Sequence, residues 1–194
     1  GVINMISIAA TGHRCNKLWG YNYNDPHYRI LKNIFKSHII NAINNTEDRT
    51  VECISGMALG TDTIFALAAL EASLLGYNVN LVAAIPFKGQ ELRWPENSIK
   101  LYNHILKHAS EIVYVCDKGY KPYKMQKRNE YMVNRLDSIN DKLIAVWNGS
   151  NSGTANCVHY AESRGKNIIY INPNNIVLTK NLIYSVNDNS NFYL

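Results

Sequence analysis

Ile144 to Ala155 constrains this chain more tightly than any other stretch. An apolar run, Ile144-Ala145-Val146-Trp147, breaks into Asn148-Gly149-Ser150-Asn151-Ser152-Gly153 and then opens a helix-compatible segment at Thr154. A buried strand, a glycine loop and a helix N-terminus in that order make an anion site. Glycine lets backbone N–H groups approach a ligand, and the first N–H groups and the dipole of a helix favour negative charge. The same order recurs where Val51-Glu52-Cys53-Ile54 runs into Ser55-Gly56-Met57-Ala58-Leu59-Gly60-Thr61-Asp62 and then an alanine-rich helix. Two such junctions point to a phosphorylated ligand, in the first place a nucleotide. The bland alternative at each is a tight strand-to-helix connection, with Asp62 serving only as a first-turn acid.

Around these junctions, strand-like and helix-like segments alternate. Apolar runs at Ile3–Ala9, Val51–Ile54, Val79–Ile85, Glu111–Cys116, Lys142–Trp147 and Asn167–Ile171 read as strands. Between them, residues at helical spacing mark helices over Tyr28–Asn44, Thr61–Leu75, Ser98–Ala109, Lys127–Leu136 and Thr154–Arg164. The pattern predicts an α/β fold, Rossmann-like and doubly wound, with a mainly parallel sheet of about six strands and helices on both faces. Ligands bind such sheets at the carboxyl ends of the strands, near the reversal of strand order. The loops that matter are therefore 10–26, 55–62, 86–97, 117–127 and 148–154. Residues 1–172 read as one nucleotide-binding domain, and 173–194 as a polar, Asn-rich C-terminal extension packed loosely on the surface.

Composition narrows the setting. The 194 residues carry a formal net charge of +5 spread along the chain, which suits an anionic small molecule or a solvated surface equally. The Lys118–Arg128 stretch is locally basic and Tyr-rich, without forming a long nucleic-acid stripe. No apolar run reaches the roughly 18 residues of a membrane helix, and no secretory signal is read at the N-terminus. Cys15, Cys53, Cys116 and Cys157 are widely separated with no CxxC pair, as expected of thiols in a reducing cytoplasm. His104 and His108 lie at i, i+4 spacing but lack the partners of a metal site, so neither a metal nor a cofactor is expected.

The loops carry a family pattern. Thr11-Gly12-His13-Arg14 with Asn16-Lys17-Leu18, Ser55 to Asp62, Ile85-Pro86-Phe87 with Gly89-Gln90-Glu91 and Trp94, Met125 to Asn129, and Trp147 to Ser150 with Gly153-Thr154-Ala155-Asn156 keep their order across residues 3–172. In these the chain resembles the SLOG superfamily, and within it the YspA/YpsA-like group, relatives of the LOG phosphoribohydrolases and of the single-stranded-DNA-binding protein DprA. The resemblance implies a nucleotide-like ligand and self-association. Three departures matter. Cys15 replaces the usual proline, Asn151-Ser152-Gly153 replaces a double glycine, and Cys157 falls where the phosphoribohydrolases carry a catalytic glutamate. A thiol there cannot stabilise positive charge on ribose or activate water as a carboxylate does.

These observations lead to a non-catalytic protein that senses or sequesters a nucleotide-derived signal: an ADP-ribose derivative, a cyclic nucleotide or a mononucleotide. Gly56, Gly60, Thr61, Gly153 and Thr154 would cradle phosphate, Arg14 and Arg128 would clamp charge, and Asn129, Asn148 and Trp94 would meet base or ribose. Thr11, Gly12, His13, Ser55, Asp62, Pro86, Gln90, Gly149 and Ser150 complete the expected ligand-binding set. Arg14 has the alternative role of pairing with Asp62, His13 that of a hydrogen-bonded structural residue, and Trp94 that of core packing. The enzymatic alternative is a nucleotide N-glycosidase using Glu91 or Asp62. A DprA-like grip on single-stranded DNA is the third reading, although a nucleic-acid partner is not expected.

Overall fold

The computed structural model describes residues 5–178 and 184–186. Six parallel strands form the central sheet: β1 (Met5–Gly12), β2 (Thr50–Ser55), β3 (Asn78–Ile85), β4 (Glu111–Tyr114), β5 (Lys142–Val146) and β6 (Asn167–Ile171). Their spatial order is β4-β3-β2-β1-β5-β6. From β1 the chain steps outward to β4, then crosses back to lay β5 against the other side of β1. The reversal therefore lies between β1 and β5, and their carboxyl ends open a crevice there.

The crossovers are helical: α1 (Pro26–Asn44), α2 (Thr61–Leu74), α3 (Glu96–His108), α4 (Pro122–Asn134) and α5 (Gly153–Ser163). Strand alternation sorts the core into two layers. Ile6, Ile8 and Ala10 of β1, Leu81, Ala83 and Ile85 of β3, and Ile144 and Val146 of β5 face α1, α2 and α3. Ala9, Val82, Ala84 and Leu143 face α4 and α5 on the other side. This period of two, with both faces apolar, is why the strands read as near-continuous hydrophobic runs. Helix α2 is buried nearly all round, and its alanines let it lie close to the sheet. Helix α1 is started by Asp25, whose side chain accepts from the His27 N–H, with Pro26 as the first helical residue.

Three local differences from the sequence reading bear on the site. Strand β1 runs through Gly12, because Thr11 and Gly12 pair with Ala145 and Val146 of β5. Helix α4 begins at Pro122, five residues earlier than its apolar spacing suggested, since proline suits a helix's first position. Arg128 and Asn129 accordingly sit in mid-helix and buried, not at a solvated helix start. In the C-terminal extension, Ile176 is 3% exposed and joins the core that contains α1. It belongs to β7 (Ile176–Leu178), which pairs antiparallel with β8 (Tyr184–Val186). The rest of the extension, 179–183 and 187–194, lies outside the described residues. Among the described residues no helix is long and apolar enough to cross a membrane.

Candidate functional site

The crevice between β1 and β5 holds a cleft of about 410 Å³. It is lined by Thr11, Gly12, His13, Arg14, Asn16 and Lys17 from the end of β1, and by Ala58 and Asp62 from the β2–α2 junction. Tyr120, Met125, Arg128 and Asn129 come from α4 and the loop before it, and Ser152, Gly153 and Thr154 from the start of α5. A second cleft of about 430 Å³ adjoins it, sharing Arg14, Tyr120 and Met125 and adding Phe87, Lys88, Gly89, Gln90, Leu92, Arg93, Trp94, Lys118 and Gly119.

His13 organises the first cleft. Its carbonyl accepts from both the N–H (3.2 Å) and the hydroxyl (3.0 Å) of Thr61. Its ring Nε2 lies 2.8 Å from Asn148 Oδ1 and 3.2 Å from the Asn148 N–H, so the neutral ring closes one of these contacts according to its tautomer. Burial lowers its pKa below the ordinary 6.5, which favours that neutral form. Of the two roles read for His13, this is the structural one: it bolts the β2–α2 and β5–α5 junctions to the end of β1.

The β2–α2 junction is spent on itself. Ser55 Oγ donates to the Asp62 carbonyl (2.8 Å) and accepts from the Met57 N–H (3.2 Å). The Ala58 N–H is taken by the Asp62 carboxylate at 3.1 Å, and the Gly60 N–H by the Tyr23 hydroxyl at 2.9 Å. Gly60 adopts φ +90°, and a Cβ there would stand 2.7 Å from the His13 carbonyl oxygen. Only glycine meets both demands.

Beneath this junction Arg128 and Asp62 form a buried pair with Nη1 and Oδ2 3.7 Å apart, and Arg128 also donates to the Gly56 carbonyl. Burial pushes the Asp62 carboxyl above its ordinary value despite Arg128 and the Ala58 N–H. It lowers the Arg128 pKa likewise, against the pull of Asp62. Desolvation outweighs attraction in this pair. Arg128 thus meets the cleft as half of a closed pair. Arg14, the other candidate partner of Asp62, is left exposed and has no ion pair among the described residues.

The β5–α5 junction is open. Ser152 caps α5 by accepting from the Ala155 N–H (3.3 Å), while the N–H groups of Gly153 and Thr154 have no partner among the described residues. A Cβ on Gly153 would meet nothing within 4 Å. These two donors at the start of α5, Arg14 and Lys17 all line one cleft, an arrangement whose chemistry suits an anion.

Most of the expected residues come together. Thr11, Gly12, His13, Arg14, Asp62, Arg128, Asn129, Gly153 and Thr154 line the first cleft, and Gln90 and Trp94 the second. Trp94 also packs edge-on against Tyr102 at 5.3 Å, so it is both wall and core. Ser55, Gly56, Gly60, Thr61 and Pro86 are buried behind the walls. Asn148, Gly149 and Ser150 form the back of their loop, held by His13 and by the Trp147 indole N–H, which donates to the Ser150 carbonyl at 2.8 Å. Glu91, proposed as a replacement acid, lines neither cleft. Among the described residues no three His, Cys, Asp or Glu side chains converge as metal ligands would.

Asn16, Lys17, Ala58, Met125 and Ser152 were absent from the expected ligand-binding set, although the first four stand inside the family motifs. Tyr120 rises from a turn where Lys124, buried, donates from Nζ to the carbonyls of Asp117 (2.9 Å), Lys118 (3.3 Å) and Gly119 (2.9 Å). Lys124 is thereby withdrawn from the basic stretch. Leu92 and Arg93 carry no motif signal at all.

Comparison with known proteins agrees with this architecture. The profile of the YspA SLOG family matches residues 8–176. YoqJ, an SPbeta prophage-derived protein of Bacillus subtilis, is 34% identical over 128 residues, covering 60% of this chain and 72% of that protein. A UPF0398 protein of Brevibacillus brevis is 23% identical over 145 residues, covering 74% and 73%.

Among solved structures, DprA of Streptococcus pneumoniae superposes with a TM-score of 0.59 at 16% identity, over 87% of this chain and 50% of its own. DprA of Helicobacter pylori, described for its single-stranded-DNA binding mode, gives 0.56 at 16%, over 85% and 64%. TM1055 gives 0.51 at 15%, over 85% and 73%. The chain thus spans between half and two-thirds of the DprA chains, and these likenesses show the shared fold.

Proposed function

The chain belongs to the YspA SLOG family, and we propose that it holds a nucleotide or nucleotide-derived signalling molecule without transforming it. The observation that carries this reading is the convergence, in one cleft of about 410 Å³, of two helix N–H groups unpartnered among the described residues with the exposed cations Arg14 and Lys17, neither of which has an ion pair among those residues. Phosphate rests on Gly153 and Thr154, and the ribose and base extend towards Asn129, Met125 and Tyr120. Cys157, fully buried and at the position of the family glutamate, supports binding over hydrolysis. Four free thiols fit a reducing, cytoplasmic setting. Self-association remains part of the proposal.

A thermal-shift screen of mononucleotides, cyclic nucleotides and ADP-ribose derivatives tests it, with each sample assayed afterwards for free base. Ligand at a hundred times its Kd stabilises the fold by about 2.7 kcal/mol, a rise of roughly 5–10 °C for a chain of this size. A shift with intact ligand is the expected result; no shift with any nucleotide sinks the reading.

One observation favours hydrolysis instead: the buried Asp62 carboxyl lines the cleft with its pKa raised, as a general acid requires. Release of base, lost in Asp62→Asn, would establish that reading. The DprA structures motivate an oligonucleotide arm, in which strand binding declares itself by a steep salt dependence.

A further inference from the structure

The second cleft has a chemistry of its own. Its lining is largely apolar and aromatic, with Phe87 buried, Trp94 half-buried and Leu92 and Tyr120 exposed as walls, Phe87 and Tyr120 meeting edge to face at 6.1 Å. Its rim carries Lys88, Arg93 and Lys118 in addition to the shared Arg14. No aspartate or glutamate is among its lining residues, and none of those four cationic side chains has an ion pair or hydrogen bond among the described residues. Carboxylates do pair with cations elsewhere among the described residues, as Glu52 and Glu111 do with Arg135 and Glu130 with Lys127, but none is placed to do so in this lining.

A pocket for a neutral base needs an apolar floor and a few placed polar groups. It does not need four exposed cations with no acid in the lining, which suit an anionic ligand. Aromatic surface beside exposed cations is what a whole nucleotide requires, its base against Phe87, Trp94 and Tyr120 and its phosphate at the cations. The two clefts are of nearly equal volume, about 410 and 430 Å³, and each exceeds the ~300 Å³ at which small-molecule sites begin. Arg14 belongs to both.

We infer that the crevice takes a ligand of two linked, phosphorylated nucleoside units, one in each cleft, with Arg14 between them. This rests on the nucleotide reading of the first cleft and names the ligand class: a dinucleotide, free or as consecutive residues of a single strand.

Calorimetry on the full chain with AMP, the 5′-phosphorylated linear diadenylate and an octa-adenylate tests it. A second tethered contact strengthens binding without altering the first, so the diadenylate is expected to bind about a hundredfold more tightly than AMP. Neutralising the far rim with Arg93→Gln and Lys118→Gln, both exposed and without side-chain partners, should collapse that ratio to near one. Gly153→Leu should remove binding of both ligands.

Equal affinity for AMP and the diadenylate, or a ratio untouched by the rim substitutions, overturns the two-unit inference while leaving the nucleotide reading standing. Failure of all three probes to bind overturns the two-unit inference, and the nucleotide reading then stands or falls on the full nucleotide screen. An octa-adenylate tighter than the diadenylate, with a steep salt slope, keeps the two occupied clefts but assigns them to a strand, and removes the small-molecule reading.

Discussion

The two strand-to-helix junctions share a sequence grammar and differ in what remains once they have folded. At the β2–α2 junction the side chains of Ser55, Asp62 and Tyr23 and the carbonyl of His13 take up the donors of Met57, Ala58, Gly60 and Thr61. At the β5–α5 junction a single serine caps the helix, and the N–H groups of Gly153 and Thr154 stay unpartnered among the described residues. The first glycine loop is structural cement, whereas the second keeps its donors open and is the one proposed to receive a ligand. A glycine-rich turn before a helix is therefore ambiguous until the neighbouring strand ends are known.

Substitutions at equivalent places should separate the two loops. Gly60→Ala forces a side chain into a positive-φ position against the His13 carbonyl, and should cost roughly 2–4 kcal/mol of stability. Urea unfolding reads this, and a loss under ~0.5 kcal/mol would erase the contrast. Gly153→Leu should change stability by no more than ~0.5 kcal/mol, as open-surface substitutions do. It should nevertheless weaken nucleotide binding by about a hundredfold or more, some 2.7 kcal/mol in affinity; retained affinity would return the second loop to the status of a turn.

Ser152→Ala deletes the α5 cap and should cost ~1 kcal/mol. Because it also loosens the helix end that presents the two donors, binding should weaken with it. Unchanged melting would show that the second loop does not depend on its cap.

The smallest effect is a pH dependence. The folded pKa of His13 lies below its ordinary 6.5 because the ring is buried. Its contribution is fully present above that value and is lost as pH falls through the folded pKa, since the unfolded chain binds the proton first. His38, buried in α1, shifts in the same direction for the same reason. Stability should fall between about pH 7 and pH 5, and His13→Gln should flatten the slope. Hydrogen exchange at Asn148 and Ser150 that stays constant over this range would contradict the role given to the ring.

How far these features could be read beforehand depends on whether they are local. The strands were legible because both faces are apolar, and α2 because its alanines leave no polar side. The start of α5 was legible in Gly153-Thr154. The saturation of the other loop was not, because its partners Tyr23 and His13 arrive from 37 and 48 residues away. Arg128 was read as a clamp for the same reason: nothing local shows that Asp62 faces it. The start of α4 was missed because Lys121-Pro122-Tyr123 has the composition of a turn, and the helical part of the loop shows no apolar stripe to betray it. Cleft walls such as Leu92 and Arg93 follow from loop paths that no periodicity encodes.

Lys124 has a consequence for timing. Its ammonium sits among the carbonyls of residues 117–119 much as a metal ion sits in a cage of oxygens, with Asp117 Oδ1 at 2.5 Å as a fourth contact. The turn that carries Tyr120 is wound around an internal cation, so the partition between the two clefts is already set before any ligand arrives. A visiting dinucleotide would meet a finished wall, and the entropy of ordering that wall is spent at folding, not at capture. Capture would then proceed at the pace of diffusion and charge attraction, and the lifetime of the complex would be decided by how slowly it comes apart.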